Sequence, residues 1–256
     1  MYAHLRPHRS FRFLIGASLL TLSATLPLRA LDLFDGKTLN GWEGDPKWWH
    51  VENGLITGGS TTEKIPKNFF LATTKSFQNF DLRLTLKLTG DPKTGMINSG
   101  VQIRSVRLPT TTEMFGYQVD AGDGWWGKLY DESRRKKVIA ESPKQDAVNA
   151  AIKPNEWNEY RVLAEGPRIR SWVNGVPALD YTETEPGIAQ DGHIGVQIHA
   201  GGIAQVQFKD VVIKELPPTP DAPTWAKVGL PPAPPPKVPS KAAPKVAEPV
   251  TPQKAP

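Results

Sequence analysis

The feature that most constrains this chain is a side-chain period of two. Leu82, Leu84, Leu86 and Leu88 alternate with Asp81, Arg83, Thr85 and Lys87. Successive side chains of a strand point to opposite faces, so this run predicts a strand with one buried face. Val101 and Ile103 alternate with Gln102 and Arg104, Tyr117 and Val119 with Gln118 and Asp120, and Val196 and Ile198 with Gln197 and His199. Further strands are expected at Trp48–Val51, Leu55–Gly58, Phe69–Thr74, Trp125–Tyr130, Tyr160–Ala164, Ile169–Val173 and Val206–Lys214. Asn174-Gly175, set between Val173 and Val176, predicts a two-residue hairpin because both turn positions tolerate positive φ. No long helical period is present, and Gln145 to Ile152 has room for two turns at most. Many short strands with almost no helix predict an all-β, two-sheet sandwich of jelly-roll type.

The two ends of the chain differ from this middle. Arg6, Arg9 and Arg12 precede an almost wholly apolar run from Phe13 to Leu26, followed by Leu28-Arg29-Ala30. That is the layout of a secretory signal peptide over residues 1–30. The alternative, an uncleaved anchor, needs about 20 apolar residues. At the other end, 14 of the 25 prolines lie between Pro217 and Pro256, mixed with Ala, Lys and Val. Such a composition favours extended, unpacked conformers, so 217–256 is expected to be a disordered tail, a spacer or a contact to the cell envelope. Trp225 is the one residue there suited to dock back on the domain. Four leader arginines and a surplus of three positive charges after residue 216 outweigh the net +5, leaving −2 on 31–216. The basic ends therefore give no reason to expect a nucleic-acid partner. With no cysteine, the 186 residues of 31–216 must be held by their own core, and one domain of that length buries one.

The non-core positions of the alternating strands carry a particular set: Thr85 and Lys87, Gln102 and Arg104, Gln118 and Asp120, Gln197 and His199. Solvent-facing strand residues would also alternate this way. Amides, Arg, Asp and His, however, form a hydrogen-bonding set for hydroxyls and carbonyls, which points to a carbohydrate surface. Of the eight tryptophans, Trp42, Trp157 and Trp172 are expected in the core. Trp48-Trp49 and Trp125-Trp126 are adjacent pairs, so one member of each should point away from it.

Several segments resemble one family, the 3-keto-disaccharide hydrolase-like domain family. They are Leu33-Phe34-Asp35-Gly36-Lys37-Thr38-Leu39-Asn40-Gly41-Trp42, Asn98 to Ser105, Gly116 to Asp120, Gly124 to Arg135, Asn155 to Asn158, Trp172 to Gly175, Ile194 to His199 and Phe208 to Val211. The resemblance implies a concanavalin A-like jelly roll over 31–216. It also implies cleavage of glycosides already oxidised to a ketone at sugar carbon 3. Such a ketone acidifies the hydrogen on carbon 2. A base removes it, the enolate expels the carbon 1 substituent, and water added to the enone makes the net result hydrolysis. This needs one positioned base and a group to stabilise the enolate oxygen. The paired carboxylates of ordinary glycosidases are not required.

His199 is the expected base, or a cation ligand, since imidazole titrates near neutral pH. Arg104 is expected to clamp the enolate through its planar fork, with a cross-strand pair to Asp120 as its structural alternative. Asp120, Asp131 and Glu132 are candidates for a base or for oxygen ligands of a divalent cation; a charge network with Arg134 and Arg135 is the alternative. Lys87, Asn98, Gln102, Gln118, Trp126, Tyr130 and Gln197 are expected to bind substrate. His193 is expected in a turn. Non-catalytic carbohydrate binding on the same face is the alternative function.

Overall fold

The structure, a computed structural model, describes residues 29–107 and 111–230. Most of the expected signal peptide and residues 231–256 of the expected tail lie outside the described residues. Among the described residues fifteen strands, two short α-helices and a single 3-10 turn at Pro92–Thr94 are formed: β1 (Ala30–Asp32), β2 (Trp42–Glu43), β3 (Trp49–Glu52), β4 (Leu55–Gly59), β5 (Phe69–Phe77), β6 (Phe80–Gly90), β7 (Asn98–Arg107), β8 (Met114–Gly122), β9 (Leu129–Glu132), β10 (Val138–Ala140), α1 (Gln145–Ala151), β11 (Asn158–Glu165), β12 (Arg168–Val173), β13 (Val176–Thr182), β14 (Gly192–Ile198), β15 (Ala204–Glu215) and α2 (Trp225–Val228). Among the described residues no helix is long and apolar enough to cross a membrane.

All pairings are antiparallel. An eight-stranded sheet runs β13-β12-β11-β6-β15-β4-β3, with β1 beside β15. A seven-stranded sheet runs β10-β9-β8-β7-β14-β5-β2. The period of two explains how they stack. Leu82, Leu84, Leu86 and Leu88 of β6 face Val101 and Ile103 of β7, Tyr117 and Val119 of β8, and Val196 and Ile198 of β14 in one buried core. This is the expected jelly-roll sandwich, and truncating one of these leucines to alanine costs about 2–5 kcal/mol. The predicted hairpin forms, with Asn174 at φ 49° and Gly175 at φ 79°.

The polar positions divide between the sheets, so they do not form one face. Thr85 and Lys87 lie on the outer side of the eight-stranded sheet, whereas Gln102, Gln118 and Gln197 lie on the outer side of the other. The Nζ of Lys87 stands 5.1 Å from the Trp157 ring, and that of Lys209 stands 4.6 Å from it. Trp157 and Trp172 are half-buried on that outer surface and outside the core; Arg161 lies over Trp172. Trp42 is core, as expected, but Trp48 and Trp49 are both buried, which the pair rule did not anticipate. The expected strand at Trp125–Tyr130 is a turn over 123–127 leading into β9. His193 lies inside β14 instead of in a turn.

The residues after β15 do not leave the domain at once. The Nδ2 of Asn79 donates to Pro217 O at 2.8 Å, and Gln190 N–H donates to Pro223 O at 2.8 Å. Trp225 docks as expected: its Nε1 donates to Arg104 O at 3.1 Å and its ring packs on Val106 and Phe115. Residues 217–229 therefore form a strap that extends the folded unit beyond the expected boundary at 216.

Candidate functional site

On the outer face of the seven-stranded sheet, the ends of β7, β8, β9 and β14 bring together Asn98, Gln118, Asp120, Tyr130, Glu132 and His199. Asn68, Met96 and Trp125 complete a cavity of about 230 Å³. The alternation places these groups. With Tyr117, Val119 and Ala121 committed to the core, Gln118 and Asp120 must face the other way. Trp125 and Tyr130 meet edge to face, with ring centroids 6.0 Å apart, and form an aromatic wall.

His199 is held in one tautomer. Its Nδ1 lies 2.7 Å from Ala200 O, and a carbonyl only accepts, so Nδ1 carries the proton. In the neutral ring Nε2 is then a lone pair, and no hydrogen bond among the described residues engages it. The peptides behind it are clamped. Asn68 Oδ1 accepts from Ala200 N–H at 3.0 Å, and Ile65 O accepts from Gly201 N–H at 2.9 Å.

The acids share a chain of amides. Gln118 Nε2 donates to Asp120 Oδ1 at 2.7 Å and lies 3.4 Å from Gln197 Oε1; Gln197 Nε2 donates to Glu132 Oε2 at 3.2 Å. Asp120 Oδ2 and Gln118 Oε1 are buried without a partner. Burial holds the Asp120 carboxyl well above the usual carboxylate range, and the Glu132 charge adds to it, while the Gln118 bond opposes it. Burial, then the nearby Glu113 charge, pushes Glu132 up to about 7 against hydrogen bonds from Ser133 and Gln197. Two acids that resist ionisation beside an unengaged imidazole are an arrangement suited to moving protons.

Several expected site residues are elsewhere. Arg104 is the main correction. A bulge between Ile103 and Val106 puts Arg104 at φ 50° and interrupts the alternation, so its side chain leaves the outer face. Its Nε, Nη1 and Nη2 donate to Gln78 O at 2.8 Å, Gly166 O at 2.6 Å and Asn79 Oδ1 at 3.0 Å. The guanidinium thus ties β7 to the β5–β6 connection between the two sheets and to the β11–β12 turn of the other sheet, and burial lowers its pKa to about 10. It pairs with no carboxylate of the cavity. Lys87 is on the opposite sheet. Gln102 is fully buried and does not line the cavity; its Oε1 accepts from Ser105 Oγ at 2.9 Å, and Gln197, also buried, donates to Glu132 without lining the cavity. Trp126 faces a neighbouring cleft, and its partner Trp125 takes the place in the cavity. Asp131 is buried in a network with Arg134 and Arg135, and Arg135 bonds Glu183 at 2.7 Å. Asn68, Met96 and Trp125 were not expected: Asn68 and Met96 lie in loops, which carry no period to read.

Three other clefts are larger. One of about 430 Å³ lies on the outer side of the eight-stranded sheet between Arg83, Glu159, Arg161 and Trp172; another, of about 410 Å³, adjoins Trp126; a third, of about 300 Å³, lies between Pro143, Lys144, Val176 and Asp180. None of the three combines a histidine with buried acids, so chemistry selects the smaller cavity. Among the described residues no three His, Asp or Glu side chains are placed to hold a metal ion.

A family model described as the 3-keto-alpha-glucoside-1,2-lyase-like domain matches residues 29–214. A 3-keto-disaccharide hydrolase from Bacteroides thetaiotaomicron is 25% identical over 179 residues, covering 62% of this chain and 61% of that protein. This chain thus spans less than two thirds of that relative. A crystal structure from Parabacteroides distasonis, provisionally described as a glycosyl hydrolase, is similar with a TM-score of 0.53. Its identity is 23%, over 73% of this chain and 94% of that one. The carbohydrate-binding module CBM66 from Bacillus subtilis has a TM-score of 0.50 at 18% identity, over 68% and 96%. These structural likenesses establish the fold.

Proposed function

The chain belongs to the 3-keto-alpha-glucoside-1,2-lyase-like domain family, and from that premise we propose that it cleaves glycosides already oxidised at sugar carbon 3. His199 Nε2 removes the proton from carbon 2, and the electron pair moves toward the ketone oxygen as an enolate. Asp120, kept neutral by burial, is the hydrogen-bond donor to that oxygen, the part first expected of Arg104. The enolate collapses and expels the carbon 1 substituent. Glu132, near half-protonated at neutral pH, gives the departing oxygen its proton. Addition of water to the enone completes hydrolysis; release before that step gives elimination. Trp125 and Tyr130 flank the sugar ring. The observation that carries this reading is the unengaged Nε2 of His199 in the same cavity as two acids held above their ordinary range.

The second reading is carbohydrate binding without turnover, favoured by the aromatic wall of Trp125 and Tyr130 beside polar side chains in the same cavity. Incubating the protein with 3-keto-glucosides and with the parent glucosides separates the two. Release of the aglycone from the keto sugars alone supports the enzyme. Binding of both without release overturns it. The basic and apolar leader supports an exported, periplasmic or extracellular setting.

A further inference from the structure

The cleft of about 410 Å³ beside the polar cavity has a different character. Leu88, Ile97, Ile152, Pro92, Pro154 and Trp126 give it apolar walls, and Asn149 and Asn155 stand at its edge. It adjoins the polar cavity at the ends of β7 and β8. Asn98 of β7 and Gly122 of β8 are register partners; Asn98 lines the polar cavity and Gly122 the apolar cleft. A Cβ on Gly122, at φ 150°, would lie 2.9 Å from Ile97 O and 3.0 Å from Asn98 Nδ2, so glycine permits the close approach of β8 to β7 at the boundary of the two compartments. The next positions repeat the relationship. Trp125 faces one compartment and Trp126 the other, as do Asn98 and Ile97. Met96, at the rim of the polar cavity beside Ile97, is 44% exposed, one of four large hydrophobic side chains so placed among the described residues. Exposed apolar groups beside a ligand cavity mark places where a ligand completes the packing.

We infer that the apolar cleft is an aglycone subsite, which makes the substrate class a glycoside whose carbon 1 substituent carries an apolar or aromatic ring. The inference rests on the catalytic reading for its turnover arm only. The sugar occupies the amide and acid cavity, and the ring lies past Gly122 against Trp126 and Ile97. Leu88, Pro92, Ile97, Ile152 and Pro154 offer no side-chain hydrogen bond to the hydroxyls of a second sugar, and Asp123, Asn149 and Asn155 are the polar side chains of the lining.

The test compares benzyl and methyl 3-keto-glucosides of one anomeric configuration, whose parent alcohols are similarly poor leaving groups. The expected kcat/KM for benzyl exceeds that for methyl by about tenfold or more, the scale of one modest apolar contact. Trp126→Ala and Pro154→Glu should each cut the benzyl-to-methyl ratio below about threefold, a readout that a general loss of folded protein leaves unmoved. Equal kcat/KM values in the wild type, or a preference that both variants retain, overturns the subsite. If neither keto sugar is cleaved, the catalytic reading has failed and calorimetric binding of the unoxidised benzyl and methyl glucosides decides the subsite. Tighter benzyl binding that Trp126→Ala abolishes supports it; equal binding overturns it.

Discussion

Gln118 donates to one oxygen of Asp120 at 2.7 Å while the other oxygen, equally buried, meets no donor in the protein. A carboxyl so placed is costly to ionise, and the cost bears on stability as well as chemistry. Its folded-state pKa is raised above the unfolded value, so stability falls as pH climbs past the unfolded pKa.

Asp120→Asn should therefore stabilise the fold while removing activity. The amide is isosteric and neutral, and thermal melts should show a higher Tm for the variant, by roughly 2–4 °C for each 1 kcal/mol relieved. The gain should be larger at pH 8 than at pH 4, where Asp120 of the folded wild type is protonated and that of the unfolded chain is already about half protonated. An unchanged or lower Tm at pH 8 would remove the burial argument.

Glu132 sets the alkaline limb. Raised to about 7 in the folded state, it must be protonated to serve the leaving group, so kcat should decline above about pH 7. In Glu132→Gln the rate should fall by about 10²-fold and that limb should vanish. Wild-type stability should also decline between the unfolded carboxyl range and pH 7, a decline that is smaller in the glutamine variant, where the contribution of Asp120 remains.

Arg104 is predicted to be structural. Arg104→Ala removes three donors from Gln78 O, Gly166 O and Asn79 Oδ1 and leaves those acceptors buried, a loss of roughly 3–5 kcal/mol in denaturant melts. Turnover per folded molecule should change by less than about threefold, since the guanidinium does not reach the cavity.

The strap over 217–229 gives a paired truncation. Ending the chain after Leu216 exposes Val106 and Phe115, which Trp225 covers, and removes the acceptor of Asn79 Nδ2. The expected result is a lower Tm. Ending it after Leu230 keeps all of these contacts, and the melt should match that of the full chain.

The reach of the sequence is visible in these residues. Period two placed β6, β7, β8 and β14 and named Gln118, Asp120 and His199; Asn98, Tyr130 and Glu132 came with the segments that resemble the family, and these six do meet in one cavity. The same rule misplaced Arg104, because a bulge is a backbone event with no signature in an alternating pattern. It also merged Lys87 with Gln118, since alternation tells which positions avoid the core but not which sheet a strand joins. Trp125 and Trp126 lie in a turn, where alternation does not apply, so their roles were exchanged. Asn68 and Met96 needed the tertiary structure. The strap was hidden by its proline content, which signals an extended chain whether or not the chain is docked.

The most direct test of the account is aglycone release from a 3-keto-glucoside by wild type and His199→Ala, measured side by side on samples with matching melting curves. A positioned general base contributes about 10²–10⁴-fold. The account predicts wild-type turnover that falls by at least about 10²-fold in His199→Ala while sugar binding persists. Equal turnover by both proteins, or wild-type binding of the keto sugar with no release, would contradict it.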